Sequence, residues 1–299
     1  MFHVIVVGGG PAGLSAALML GRCRRRVLLV DAGSPRNRRS SALHGYLTRD
    51  GVSPAQFNAI GRAQLARYGV VFQKGEVVAA GYLRRPPGFR VTLRGGSRYQ
   101  SRFLLLATGV ADVVPDVPGL RSCYGRSVFH CPYCDGWEWR DRRLGVLADG
   151  ASGARLALSL KTWSATVEMF LNGSSLTGHW RDRLARNGIA TCDERVARLE
   201  HDHGRLHTVC LASGAAKACD AIFFSTGQYP QSPLAIDLEC ERTRKGTVRT
   251  GRLSETNVSG VFVAGDASHD AQYVAVASAE GLKAALAINQ ALQREELLS

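Results

Sequence analysis

A short apolar strand, His3-Val4-Ile5-Val6-Val7, runs straight into Gly8-Gly9-Gly10-Pro11-Ala12-Gly13. A helical run from Leu14 to Leu20 follows, then a second strand, Val27 to Val30, closed by Asp31. Gly8, Gly10 and Gly13 stand at G-x-G-x-x-G, and Asp31 lies 18 residues past the last of them. No other feature limits the fold so sharply. Strand, helix and strand this close in sequence pair in parallel through a right-handed crossover, the opening of a doubly wound α/β sheet. The glycines have separate reasons: Gly8 permits the tight turn, Gly10 lets backbone approach a pyrophosphate, and Gly13 lets helix and strand pack closely. The helix N-terminus offers N–H groups and a positive dipole end to phosphate. Asp31 is placed to hydrogen-bond a ribose hydroxyl.

The rest of the chain repeats this theme. Phe103 to Ala107 is an apolar strand ending in the small-residue turn Thr108-Gly109, and Pro115, Pro118 and Gly119 read as a linker. Arg142 to Leu147 starts a second unit of the same kind: strand, Ala148-Asp149-Gly150-Ala151-Ser152-Gly153, helix to Leu160, strand Thr166 to Leu171. Ala221 to Ser225 is a further strand, followed by Thr226-Gly227 and Pro230. Gly260 to Asp266 (G-V-F-V-A-G-D) is a strand ending in Gly-Asp, and a long helix follows from about Tyr273 to Leu292. The expected fold is α/β, with two Rossmann-like, three-layer ββα dinucleotide-binding domains, the second inserted in the first. Residues 1–116 and 247–299 form the first and 117–246 the second.

Inside that second domain stands Cys131-Pro132-Tyr133-Cys134-Asp135-Gly136. Two thiols at this spacing can close a disulfide across one turn or, reduced, hold one sulfur as thiolate. Asp135, directly behind, can carry the proton that moves when a thiol forms or leaves. The remaining cysteines, at 23, 123, 192, 210, 219 and 240, show no disulfide framework and read as buried apolar residues of a reducing compartment. Structural zinc needs a second close pair, and the sequence has none. No apolar run approaches the ~20 residues of a membrane span, and Val4 to Val7 is too short for a signal-peptide core, so the chain reads as soluble and cytoplasmic. Thirty-eight basic residues against 25 acidic ones leave a net charge of +13, clustered at Arg22–Arg26, Arg36–Arg39 and Arg84-Arg85. A solvated Arg-rich surface accounts for this, and a docking face for an acidic redox protein is the sharper reading. No helix-turn-helix, RNP or zinc-finger pattern accompanies the charge, which argues against nucleic acid.

Four features in this order, G-G-G-P-A-G at 8–13, A-T-G at 107–109, C-P-Y-C-D-G at 131–136 and G-V-F-V-A-G-D at 260–266, resemble the low-molecular-weight thioredoxin reductase family along nearly the whole chain. The resemblance implies FAD in the domain built from the two chain ends, and a homodimer. It implies that Gly8, Gly10, Pro11, Ala12 and Gly13 hold the pyrophosphate and that Asp31, with Ala32, takes the adenosine ribose. Ala107, Thr108 and Gly109 line the cofactor, and Gly265 with Asp266 meets its ribityl side. Asp270-Ala271-Gln272-Tyr273 lies where the family aims a helix N-terminus at the flavin, so Gln272 and Tyr273 are cofactor residues. Thr48, in the loop His44-Gly45-Tyr46-Leu47-Thr48, falls where the family's chain crosses the flavin. Cys134 would exchange electrons with the flavin, Cys131 would meet the substrate sulfur, and Asp135 would be the acid/base. His130 reads simply as a packed or solvated residue.

The second nucleotide loop departs from the family pattern. Ala148 replaces the first glycine, where a positive φ would be less comfortable, and Asp149 puts a carboxylate where pyrophosphate belongs. The basic cluster that takes a 2′-phosphate is replaced by Asn172-Gly173-Ser174-Ser175-Leu176-Thr177, with no positive charge before Arg181. Together the three departures argue against NADPH and leave NADH only slightly better placed. Three readings of the electron path follow. The chain is a disulfide reductase fed by ferredoxin or by a second flavin, FAD, in the degenerate site and acting on a thioredoxin-like protein or a small molecule. It is a dithiol oxidase that passes electrons from a small-molecule dithiol to oxygen. Or it is an NADPH-dependent thioredoxin reductase with an altered pocket. A non-catalytic FAD-binding sensor is the reading from another class, and an intact dithiol argues against it.

Overall fold

The computed structural model describes residues 1–268 and 271–298, for Leu298 the backbone only. Packing divides the chain into two compact units: residues 1–38, 46–111 and 228–299 form one, and residues 39–45 and 112–227 the other. The chain therefore crosses at 111/112 and 227/228, not at 116/117 and 246/247. Residues 228–246 belong with the chain ends for a simple reason: Leu234, Leu238 and Cys240 are buried in the same core as Val7, Leu28 and Leu106. The seven residues 39–45 group with the inserted unit although both their neighbours group with the first.

In the first unit the strands β1 (Phe2–Val7), β2 (Val27–Asp31), β3 (Val71–Lys74), β4 (Val77–Arg84), β5 (Pro87–Leu93) and β6 (Arg98–Leu106) join one sheet in the order β3-β2-β1-β6-β5-β4. β1 pairs in parallel with β2 on one side and β6 on the other. Besides β1, the nine residues of β6 serve two further partners: Arg98 to Ser101 pairs with β5, and Leu104 to Leu106 pairs in parallel with the strand Val261–Val263. Because side chains alternate across a strand, Val4 and Val6 enter one core with the helix α1 (Pro11–Arg22) and the C-terminal helix Val274–Leu298. Ile5 and Val7 enter another with Val77, Phe89 and Val91 from the antiparallel strands. Both faces are covered, which is why these strands are almost wholly apolar. The C-terminal helix begins one residue later than the sequence suggested and runs six further. It lies so close to α1 that a Cβ on Gly281 would sit 2.0 Å from the Ala12 carbonyl oxygen.

The inserted unit repeats the plan. Its parallel sheet runs Ala190–Cys192, Val167–Phe170, Leu144–Leu147, Ala221–Phe224, Val128–Phe129. The helix Gly150–Leu160 covers one face through Ala154, Ala157 and Leu160. An antiparallel meander, Val196–Asp202, Arg205–Leu211 and Ala216–Ala218, covers the other through Leu199, Leu206 and Val209. The architecture is thus the mixed α/β pair of three-layer units that the motifs imply. Among the described residues no helix is long and apolar enough to cross a membrane.

Candidate active site

At the carboxyl ends of β1, β2, β6 and the strand Val261–Val263 the first unit gathers most of the expected cofactor residues. Gly8 has φ +108°, and a Cβ there would lie 2.2 Å from the carbonyl oxygen of Ala107. Gly13 is tighter, its Cβ falling 1.8 Å from the Gly8 carbonyl oxygen. Gly10 differs from both: its Cβ would meet nothing within 4 Å. Packing therefore explains the first and third glycines and leaves the middle one unexplained except by something that approaches its backbone. Gly10 caps α1 with no side-chain cap, and Pro11 supplies the first helical residue. The remaining N–H groups of the first turn are open to an anion. The residues present therefore fit a dinucleotide phosphate.

Asp31 accepts hydrogen bonds from the N–H groups of Gly9 (3.2 Å) and Gly33 (3.1 Å). Sequence reasoning missed Gly9: a Cβ there would stand 2.5 Å from Asp31 Cγ, so this glycine keeps the carboxylate in place. Ala32 follows on the exposed side. The Gly265 turn, at φ +83°, abuts the first turn of α1, its would-be Cβ 3.0 Å from Ala12 Cβ, and its N–H donates to the buried Glu280 (2.8 Å). Arg36 Nη1 donates to Asp266 Oδ2 (3.3 Å) and to Gln272 Oε1 (2.5 Å). Gln272 and Gln228 exchange amide hydrogen bonds. Gln272 and Tyr273 directly precede the C-terminal helix as expected, whereas Asp270 lies outside the described residues. Thr108 follows Ala107, and Gly109, at φ +66°, accepts from Gln231 N–H. Thr48 sits on an exposed turn at φ +70°, held locally by Arg49 Nη1 on its carbonyl. Its loop divides: Tyr46 packs edge-on to Phe57 in the first unit, while His44 groups with the second.

In the inserted unit Cys131 and Cys134 are joined as a disulfide across the short helix Pro132–Asp135. Cys131 is extended and caps this turn, accepting on its carbonyl from the N–H groups of Cys134 and Asp135. Pro132 starts it at no cost in donors. Gly136 ends it because a Cβ would come 2.5 Å from the Pro132 carbonyl oxygen and 2.7 Å from the Trp163 indole. Trp163 also receives Tyr133 edge-on at 5.3 Å. Burial pushes the Asp135 carboxyl up to about 7, with the Glu138 carboxylate adding to the same effect. A carboxyl group half protonated near neutrality can both give and take a proton. Glu138 Oε1 lies 3.5 Å from His44 Nε2. His130, next to Cys131, has Nδ1 3.8 Å from the buried carboxylate of Asp112, which also accepts from Tyr124 Oη at 2.5 Å.

The second nucleotide loop tolerates Ala148 by moving the unusual backbone elsewhere. Ala148 is buried without a positive φ, and Gly150 carries φ +53° instead. Gly153 keeps the packing role of Gly13, its Cβ 2.6 Å from Met169 Cε. Asp149 is exposed at the start of the helix Gly150–Leu160, and its side chain makes no capping bond. The loop after Val167–Phe170 closes on itself: Ser174 Oγ donates to the Leu171 carbonyl, and Asn172 Oδ1 accepts from Val196 N–H. Arg181, the first cation beyond it, is engaged with Asp193 (2.7 Å) and the Leu176 carbonyl. Two cations of the run 22–26 are also engaged, Arg22 with Tyr68 Oη, and Arg25 with Asn289 and Glu296.

A family model described as pyridine nucleotide-disulphide oxidoreductase matches residues 2–281. A probable thioredoxin reductase of Arthroderma benhamiae is 31% identical over 98% of this chain and 81% of its own length. Among solved structures, that of HlmI aligns with a TM-score of 0.96 at 37% identity, covering 99% of this chain and 94% of the other. A putative thioredoxin reductase TrxB from Bacillus anthracis aligns at 0.95 and 30% identity, covering 99% and 100%.

Proposed function

Since the chain belongs to the pyridine nucleotide-disulphide oxidoreductase family, as a thioredoxin reductase-like FAD oxidoreductase acting on a sulfur group, we propose that it passes electron pairs between its flavin and Cys131–Cys134 without taking them from NADPH. The observation that carries the thiol half of this reading is Asp135, poised near neutrality directly behind a closed disulfide. The observation that carries the other half is the second loop, where Asp149 stands exposed at the helix start and Arg181 is already paired. A carboxylate at that point repels any pyrophosphate, of a second FAD as well as of NADPH. The same feature favours entry of electrons through the dithiol itself, from a substrate dithiol.

In that direction a substrate thiolate attacks Cys131 Sγ, the Cys131–Cys134 bond breaks, and Cys134 leaves as thiolate. Asp135 gives Cys134 its proton. The second substrate thiol then displaces Cys131, so that one disulfide forms in the substrate and two thiols form here. When bound, FAD would supply the two-electron acceptor for this dithiol and hand the pair on to dioxygen, while Cys131 and Cys134 close their disulfide again and release two protons. Run the other way, the same residues reduce a disulfide. Gly8 to Gly13, Asp31, Ala107 to Gly109, Gly265 and Asp266 hold the cofactor, in a domain that comprises residues 1–38, 46–111 and 228–299.

Anaerobic titration of the purified flavoprotein at 450 nm tests this. Dithiothreitol bleaches the flavin with one two-electron equivalent, and NADPH and NADH leave it oxidised. Rapid bleaching by NADPH would overturn the donor assignment. No thiolate-to-flavin absorbance at partial reduction would overturn the disulfide mechanism itself.

A further inference from the structure

Residues 39–45 leave the unit of both their neighbours and join the inserted unit, and they carry His44 to Glu138. The excursion is anchored at its start by Arg39 Nη1 on the Arg121 carbonyl and by the close approach of Gly125 to the Arg39 backbone. At its end His44 Nε2 lies 3.5 Å from Glu138 Oε1. Glu138 stands three residues after Asp135, where the short helix has just ended, and its field acts on the Asp135 carboxyl. We propose that Glu138 and His44 are positioning residues of the dithiol chemistry: behind burial, the charge of Glu138 biases the pH at which Asp135 exchanges its proton, and His44, 3.5 Å from Glu138, tempers that bias. This rests on the reading of Asp135 as the proton carrier of Cys134.

The physical argument is one of sign. A like charge beside a partly buried carboxylic acid holds its proton on, and a cation beside that like charge weakens the effect. Glu138 is the more exposed member of the pair, its side chain 38% accessible against 23% for His44. Among the described residues, charged or titratable groups on the neighbouring segments are Tyr133, which meets Trp163, Arg140 on Trp137, Asp141, whose N–H donates to the Trp163 carbonyl, and Arg39 on the excursion. Lys161 comes from the segment before Trp163, and His130 with Asp112 from the strand before Cys131. Arg140 stacks on Trp137 (4.1 Å) and Lys161 donates to the Ala165 carbonyl, so neither is bound to Glu138 by these contacts.

The two partners therefore move the pH profile in opposite directions, which a merely structural role would not do. The rate of flavin reduction by dithiothreitol is measured by stopped flow from pH 5 to 9 at constant ionic strength, for the wild type and for Glu138→Gln, His44→Gln and Asp135→Asn. Carboxyl ¹³C shifts of Asp135, assigned by their loss in Asp135→Asn, give the same titration without turnover. Glu138→Gln is expected to lower the midpoint by on the order of half to one pH unit. His44→Gln, which removes the ring that faces Glu138 Oε1, is expected to move it the other way. An unshifted midpoint in Glu138→Gln, with the Asp135 limb present in the wild type and lost in Asp135→Asn, overturns this proposal and leaves the proposed function standing. Persistence of the limb in Asp135→Asn overturns the proposed function instead.

Discussion

Gly10 and Gly13 make opposite demands, and alanine at each separates packing from ligand binding. At Gly13 the new Cβ falls 1.8 Å from the Gly8 carbonyl oxygen, a backbone atom, so strand and helix must part by more than 1 Å. Overpacking of this kind costs about 1–3 kcal/mol. At roughly 2–4 °C per kcal/mol for a chain near this size, the apoprotein midpoint falls by about 2–12 °C. At Gly10 the backbone has φ −75°, open to any residue, and no atom lies within 4 Å of the new Cβ. Its loss of stability stays under about 1 kcal/mol, the difference between glycine and alanine at a helix N-cap. Its effect falls on the cofactor, because the methyl group occupies the space through which phosphate reaches the helix N-terminus. A tenfold weaker FAD complex, about 1.4 kcal/mol, is the smallest loss this argument allows. Thermal melts of apoprotein, and flavin-fluorescence titration for the Kd, give both axes for both variants. Gly13→Ala melts early with or without FAD. Gly10→Ala melts normally as apoprotein and loses part of the FAD-induced rise. Wild-type FAD affinity in Gly10→Ala would refute the phosphate cradle, and an unshifted apoprotein midpoint in Gly13→Ala would refute the close approach.

The Asp135 carboxyl is raised from 3.8 to about 7 by burial and then by Glu138, so its folded form favours the proton. Its contribution to stability is full below about pH 4 and is lost as pH rises through 7. Asp135→Asn therefore unfolds at higher denaturant than wild type at pH 8.5, by on the order of 2–4 kcal/mol, with the gain gone near pH 4. Gly136→Ala forces its Cβ on both the Pro132 carbonyl and the Trp163 indole and loses about 1–3 kcal/mol in urea unfolding; Trp163→Ala in the same chain recovers part of this and no more, since the carbonyl clash stays. Cys219, fully enclosed and pushed up to about 12 by burial, stays unreactive to a thiol reagent until the protein unfolds, whereas reduced Cys131 and Cys134 react first; thiol counting before and after denaturant checks this.

What could be read from the chain alone follows how local each cause is. The turn at Gly8 and the helix behind it are written within a dozen residues, and so were legible. The disulfide turn was legible too, because Pro132 and Gly136 bound it from either side. Gly9 was not, since its reason is a carboxylate 22 residues away. The return to the first unit was misplaced for a related cause: the short helix Leu234–Asp237 has no period of its own, and only the core it enters decides its unit. The loop 44–48 is continuous in sequence, yet the structure sends its halves to different units, His44 beside Glu138 and Tyr46 on Phe57, both partners distant in sequence.

The two nucleotide-type loops, compared within one chain, separate what a fold requires from what a phosphate requires. Gly13 and Gly153 occupy equivalent places, and in each case a Cβ would strike the strand beneath or its neighbours, so both glycines are needed whether or not a ligand binds. Gly8 and Ala148 also correspond, yet only the first turn uses a positive φ there; the second shifts it to Gly150, which leaves the sheet and helix intact. The scaffold therefore survives the change at its first glycine. The position of Gly9 cannot be exchanged so freely. In the first loop its N–H holds Asp31, and in the second Asp149 stands there, exposed and uncapped at the helix start. A negative charge at a helix N-terminus is electrostatically stabilising in itself, so Asp149 costs the fold nothing while occupying the field a phosphate would need. The inserted unit thus keeps the architecture that carries the Cys131–Cys134 turn while a carboxylate stands at the start of the helix Gly150–Leu160.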